Sequence, residues 1–186
     1  MSKLNFRFGA MGSGKTAQAL MLKYNFEERG LKVLLTKPIL DTRDGGGILK
    51  SRCGLESTCE NFENLRYSDW EFYDVIIVDE VQFLTKEDIN FLTYIVDKYA
   101  IRVFAYGLKT DFQGKFFEGS YWLLACADKI EEIKTMCWCG RKAIYNARIK
   151  DSKVIKDGNQ IQIGGNDSYI SLCRKHFKEE KLNASK

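Results

Sequence analysis

Leu4-Asn5-Phe6-Arg7-Phe8-Gly9-Ala10-Met11-Gly12-Ser13-Gly14-Lys15-Thr16 is the stretch that decides the fold. Leu4 to Phe8 reads as a short strand, and Lys15 to Arg29 as a helix that Gly30 ends, so the residues between them form a strand-to-helix turn. That turn, Gly9 to Thr16, fits the pattern G-x-x-x-x-G-K-[ST]. Its glycines let successive backbone N–H groups curl around phosphate oxygens, and the helix N-terminus adds partial positive charge. Lys15 then reaches the terminal phosphates and the Thr16 hydroxyl ligates Mg²⁺. Gly9, Ala10, Met11, Gly12, Ser13, Gly14, Lys15 and Thr16 are therefore the expected ATP-binding loop.

Outward from the loop, short apolar runs alternate with helical segments, the signature of parallel strands joined by helices. Leu31 to Thr36 reads as the second strand, closed by Pro38, the only proline. Asp41 to Gly54, with Gly45-Gly46-Gly47, reads as a flexible loop. Tyr73 to Asp79 carries Val75-Ile76-Ile77-Val78 and reads as a central strand buried on both faces. It delivers Asp79 and Glu80 at its C-terminal edge, where ligands of open α/β sheets collect. Asp79 would help hold Mg²⁺ and Glu80 would take a proton from the hydroxyl that attacks a γ-phosphate; on spacing alone the pair is also compatible with solvated acids in a turn. Thr85 caps a helix whose apolar stripe is Ile89, Leu92, Val96 and Tyr99, and Ile101 to Tyr106 supplies another strand.

Past about residue 130 the texture becomes β-rich. Ala143 to Ile149 and Gln160 to Ile163 read as short strands flanking an Asp157-Gly158 turn, Ser171 to Lys181 as a closing helix, and Asn183 to Lys186 as frayed. Cys137-Trp138-Cys139-Gly140 and Cys173-Arg174-Lys175-His176 pair three thiols with the only histidine, a donor set suited to tetrahedral zinc. The one-residue gap of the first pair departs from the common C-x₂-C knuckle, which leaves plain buried thiols as the alternative. Cys53, Cys59 and Cys126 have no paired spacing and are expected to be buried or simply tolerated. The expected division is a nucleotide-binding domain over 1–134 and a zinc-ribbon-like domain with its closing helix over 135–186.

Composition narrows the function classes. A chain of 186 residues, 45% hydrophobic and 13% aromatic, can bury one real core. Its 29 Lys and Arg against 25 Asp and Glu leave a net charge of +4, well short of a nucleic-acid binder's basic stripe. No apolar run approaches the roughly 18 to 20 residues of a membrane span, and the start has no apolar stretch of signal-peptide length. No nucleic-acid partner, no membrane and a cytoplasmic location are the expectations.

Several segments together resemble the thymidine kinases that join a P-loop domain to a small zinc domain, from about Leu4 to Glu180. The likeness rests on the phosphate loop, Asp41-Thr42-Arg43, Ser51-Arg52, Asp79-Glu80-Val81-Gln82-Phe83, Tyr106 to Gly114, and Ile163-Gly164-Gly165 followed by Tyr169 and Cys173 to His176. The short gap in Cys137-Trp138-Cys139 is similar to one bacterial branch of that family. The fold so implied is α/β, a P-loop NTPase-like parallel sheet with helices plus a small β-rich zinc-binding domain carrying a lasso loop.

The resemblance implies transfer of the γ-phosphoryl group of ATP to the 5′-hydroxyl of thymidine, with Mg²⁺ and a structural Zn²⁺. It implies Glu80 as general base, Asp79, Glu80, Val81 and Gln82 beside the nucleotide, and Thr16, Asp79 and Arg43 around the phosphates and metal. Met11, Asp41, Phe83, Phe112, Phe117, Gly164 and Tyr169 would build the nucleoside end, and Cys137, Cys139, Cys173 and His176 the zinc site. Without the resemblance, Phe112 and Phe117 read as core and Asp41 with Arg43 as a surface ion pair. A homotetramer inhibited by thymidine triphosphate is also implied. Two rivals remain: a P-loop ATPase acting on a macromolecular partner, and a zinc-ribbon nucleic-acid module.

Overall fold

In the computed structural model the described residues are 3–41, 47–67, 69–161 and 168–183. The deciding stretch folds as read: β1 (Leu4–Phe8) runs into the loop and α1 (Lys15–Glu27) leaves it, with Gly30 beyond the helix end at φ 76°. There follow β2 (Val33–Lys37), β3 (Ile48–Lys50), β4 (Glu56–Thr58) and β5 (Glu60–Asn61). Next come β6 (Val75–Val78), α2 (Lys86–Tyr99), β7 (Arg102–Gly107), α3 (Glu118–Cys126) and β8 (Lys129–Glu132). The rest comprises β9 (Thr135–Met136), β10 (Lys142–Ala143), β11 (Tyr145–Lys150), β12 (Lys153–Ile155), β13 (Tyr169–Leu172) and α4 (Arg174–Lys178).

Six strands form one sheet in the order β5-β2-β6-β7-β1-β8, every neighbouring pair parallel. Alternation along β6 explains why that strand is apolar throughout. Ile76 and Val78 join the cluster that contains Ile89, Leu92, Ile95 and Val96 of α2, while Val75 and Ile77 join Ala19 and Leu20 of α1 on the other face. All four β6 side chains are 0% exposed. Each such burial is worth about 2 kcal/mol, which fixes the strand whose end carries Asp79. Thr85 caps α2 as expected, in a capping box with Asp88.

Some expectations need correction. Tyr99 stands 36% exposed, edge-on to Tyr94 at the helix end, and Ile95 takes its place in the buried stripe. The stretch read as a loop from Asp41 to Gly54 contains β3, paired antiparallel with β4. The turn of the β11–β12 hairpin falls at Asp151 and Ser152, with φ 50° and 58°, because two residues of positive φ match the twist of the two strands; Asp157-Gly158 lies beyond β12. The closing helix is the short α4, since Ser171 and Leu172 pair with Asn146 and Tyr145 in β13 and Cys173 is the helix N-cap. Gln160 and Ile161 lie outside any strand, and Gln162 and Ile163 fall outside the described residues.

β11 to β13 and α4 bury a separate small cluster of Cys137, Ala143, Ala147, Leu172 and Cys173. Among the described residues no helix is long and apolar enough to cross a membrane.

Candidate functional site

The phosphate loop is shaped by its glycines. Gly12 and Gly14 take φ 73° and 81°, a region where a side chain is strained. A Cβ on Gly9 would lie 2.3 Å from the Ile133 carbonyl and 2.5 Å from Ser13 Oγ, so only glycine lets the chain pass there. Lys15 is buried, its Nζ donating to the Gly9 and Ala10 carbonyls at 3.2 and 3.1 Å, which folds the loop around its own cation. Ser13 Oγ is buried with no hydrogen-bond partner among the described residues, an orphan that a phosphate oxygen would satisfy. The loop residues thus fit a polyphosphate.

Thr16 Oγ1 donates to Asp79 Oδ2 at 2.7 Å, which brings together the first residue pair the sequence assigned to Mg²⁺. Asp79 is fully buried at the end of β6; burial, and next the neighbouring Glu80 charge, push its carboxyl up to about 7 against relief from Thr16, the Glu80 N–H and Lys15. Two hard oxygens, one on a carboxyl that burial makes costly to ionise, suit a divalent cation, which would restore the ionised form.

Glu80 sits in the left-handed region at φ 55°, ψ 36°, a strain of about 1 kcal/mol or more. Its N–H donates to Asp79 Oδ1 at 2.9 Å. Gln82 donates Nε2 to Glu80 Oε2, and its own Oε1 accepts from the Leu108 N–H at 3.0 Å. Gly107 makes room, because a Cβ there would stand 2.7 Å from Gln82 Oε1. Glu80 is therefore held, and turned, from two sides.

Two clefts meet at this carboxylate. One is lined by the phosphate loop with Lys15, Thr16 and Arg52; the other by Phe83, Phe112, Phe117 and Tyr169. Met11, Asp41, Glu80 and Leu108 line both. Phe117 packs edge-on to Phe83 at 6.1 Å, so the aromatics are buried, as a core reading expects, and also form the wall of a cavity. Asp41 is 3% exposed with Lys37 Nζ 3.7 Å from its Oδ2; it is no surface pair. Val81 is fully buried in the turn after β6 and does not line either cleft. Arg43 and Gly164 lie outside the described residues.

Asn146 and Ser171, which the sequence reading did not single out, tie Met11 in place. Asn146 Oδ1 accepts from the Met11 N–H at 2.7 Å, and Ser171 Oγ donates to the Met11 carbonyl at 2.6 Å. The two face each other across β11 and β13, so the β-rich part grips the phosphate loop at Met11, one of the four residues the two clefts share.

Cys137, Cys139, Cys173 and His176 place their ligand atoms within 4.8 Å of one another. Cys139 and Cys173 sulfurs are 3.9 Å apart, and Cys137 Sγ lies 3.4 Å from His176 Nδ1. A tetrahedron with metal–sulfur bonds of about 2.3 Å puts its sulfurs about 3.8 Å apart, so the four fit zinc as they stand. Gly140 at φ 79° turns the chain back, its N–H donating to the Cys137 carbonyl at 2.9 Å, and Trp138 stacks on His176 at 4.1 Å. The one-residue gap is accommodated by that turn. Four protein donors leave no open position.

Comparison with known proteins agrees with this geometry. The thymidine kinase family profile matches residues 2–177. Thymidine kinase of Shewanella oneidensis is 46% identical over 188 residues, covering 96% of this chain and 98% of that protein. Thymidine kinase of Pasteurella multocida is 44% identical over 189 residues, covering 97% of this chain and 98% of its own. Among solved structures, AMPPCP-bound DnaA from Aquifex aeolicus overlaps 72% of this chain and 41% of that one with TM-score 0.45 and 14% identity, a distant likeness. The chain belongs to the thymidine kinase family.

Proposed function

We propose that the protein transfers the γ-phosphoryl group of ATP to the 5′-hydroxyl of thymidine, giving thymidine monophosphate by salvage. The observation that carries this is the meeting of a polyphosphate cradle and an aromatic-walled cleft at one carboxylate, Glu80. ATP lies along Gly9 to Thr16, with Asp79, Glu80 and Gln82 beside it, while Val81, buried and lining neither cleft, backs the turn that carries them. Thr16 and Asp79 would hold Mg²⁺, which would supply charge neutralisation at the transferring phosphate. Glu80, aimed by Gln82, accepts the 5′-hydroxyl proton as that oxygen bonds to the γ-phosphorus and the bond to ADP breaks. Arg43 steadies the phosphoryl group. Met11, Asp41, Phe83, Phe112, Phe117, Gly164 and Tyr169 receive the nucleoside.

The same reading divides the chain into a kinase domain over 1–134 and a zinc-and-lasso domain over 135–186, supported by separate apolar clusters on either side of that point. It takes the zinc as structural, the assembly as a homotetramer, the location as cytoplasmic and thymidine triphosphate as a feedback inhibitor. An ATPase acting on a macromolecule has no use for a small buried aromatic cleft beside its base, and a nucleic-acid module has none for a cradle with an oriented carboxylate. ATP-dependent phosphorylation across the four deoxynucleosides in Mg²⁺ tests the proposal. Turnover of thymidine with deoxycytidine and both purine deoxynucleosides poor is expected; ATP hydrolysis indifferent to nucleoside, with no thymidine monophosphate, would contradict it.

A further inference from the structure

Arg148 lies on β11 with 5% exposure, and no carboxylate among the described residues stands within ion-pair distance of it. A buried charge without a counter-ion is costly, so what holds it there is informative. Its guanidinium carbon lies 3.7 Å from the centre of the Phe112 ring and 5.4 Å from that of Tyr169. Nε donates to the Tyr169 hydroxyl at 2.9 Å and Nη2 to the Gln160 carbonyl at 3.5 Å. Gln160 in turn donates Nε2 to Asp111 Oδ2 at 2.9 Å. Phe112, Gln160 and Tyr169 all line the aromatic cleft, whereas Arg148 itself does not.

We propose that Arg148 is a positioning residue for the nucleoside cleft: one guanidinium, behind the wall, fixes the Phe112 ring by its flat face and Tyr169 and Gln160 by its edge. Only a planar cation can do both at once. Lysine offers the charge but neither a plane to stack nor two donors at a fixed angle. Arg148 thus sets affinity for the nucleoside without touching it, and because it is not among the residues that line the phosphate-loop cleft it leaves ATP binding and the proton transfer at Glu80 alone. The inference rests on the reading that the nucleoside occupies this cleft.

Steady-state kinetics of Arg148→Lys, Tyr169→Phe and the double variant, each checked for zinc content and melting temperature, test it. Arg148→Lys is expected to raise KM for thymidine roughly tenfold with kcat within about twofold and KM for ATP unchanged. Tyr169→Phe removes the hydroxyl that accepts from Arg148 and should raise KM for thymidine by about threefold; in the Arg148→Lys background it should raise KM by less than that factor, because the Arg148 link it breaks is already gone. An unchanged KM for thymidine in Arg148→Lys, an equal rise in both KM values, or independent multiplication of the two effects would overturn the inference alone. Wild-type protein without thymidine turnover would overturn the functional reading instead, and the inference with it.

Discussion

The Gln82 side-chain amide donates to the Glu80 carboxylate two residues before it, while its oxygen accepts from the Leu108 N–H just past β7. The proposed base is thereby oriented from a neighbouring strand as well as by its own left-handed backbone.

Glu80→Gln should lower kcat by roughly 10²-fold or more with ATP affinity nearly intact, as loss of a general base does. Gln82→Ala should lower kcat by a smaller factor, about tenfold, since the base survives but loses its orientation. Steady-state kinetics beside nucleotide titration check both; losses below about threefold in each would make Glu80 a turn residue only.

Gly107→Ala forces a methyl to within 2.7 Å of Gln82 Oε1 and 2.8 Å of Val81 Cγ2. Activity should fall at least as far as in Gln82→Ala, with about 1 to 3 kcal/mol of stability lost to overpacking. Denaturant unfolding and kcat together measure this, and a fully active variant would refute the tight fit.

Asp79 has a folded pKa of about 7 against an ordinary value of 3.8. The folded state binds this proton more tightly than the unfolded chain, so in Mg²⁺-free buffer the group's contribution to stability is most favourable below about pH 4, declines as pH rises to about 7 and is level above that. Asp79→Asn should remove that slope and weaken Mg²⁺ binding. Stability against pH for the two proteins gives the difference directly; parallel curves would contradict it.

One zinc per chain is expected, and Cys173→Ser should lose it. Cys173 follows β13, whose Ser171 holds the Met11 carbonyl beside Asn146, so losing the metal should weaken thymidine binding and stability together while ATP still binds the folded large sheet. Metal analysis with calorimetry checks this: well under half a zinc per chain, with activity untouched by strong chelation, would refute it.

The strand-loop-helix at Gly9 and the apolar β6 were legible in the sequence because each follows from local period or spacing; Cys137 with Cys139 and Cys173 with His176 were legible as pairs, but the one-residue gap of the first needed the family likeness to read as zinc. Asn146 and Ser171 were not: their partner, Met11, is 135 and 160 residues away, and a lone polar residue in a strand carries no signal of what it bonds. Arg148 was missed for a similar reason, an arginine in a short strand reading as solvated until its burial is seen. The early end of the last helix reflects pairing of Ser171 and Leu172 with β11, a tertiary choice that local propensity does not record.

Following the γ-phosphate tests the central claim most directly. With γ-labelled ATP, Mg²⁺ and thymidine, wild-type protein should place the label in thymidine monophosphate, with little inorganic phosphate, and Glu80→Gln should bind ATP yet transfer label at least roughly 10²-fold more slowly. Label released as inorganic phosphate at a rate indifferent to thymidine, or transfer undiminished in Glu80→Gln, would contradict a kinase whose two clefts meet at that carboxylate.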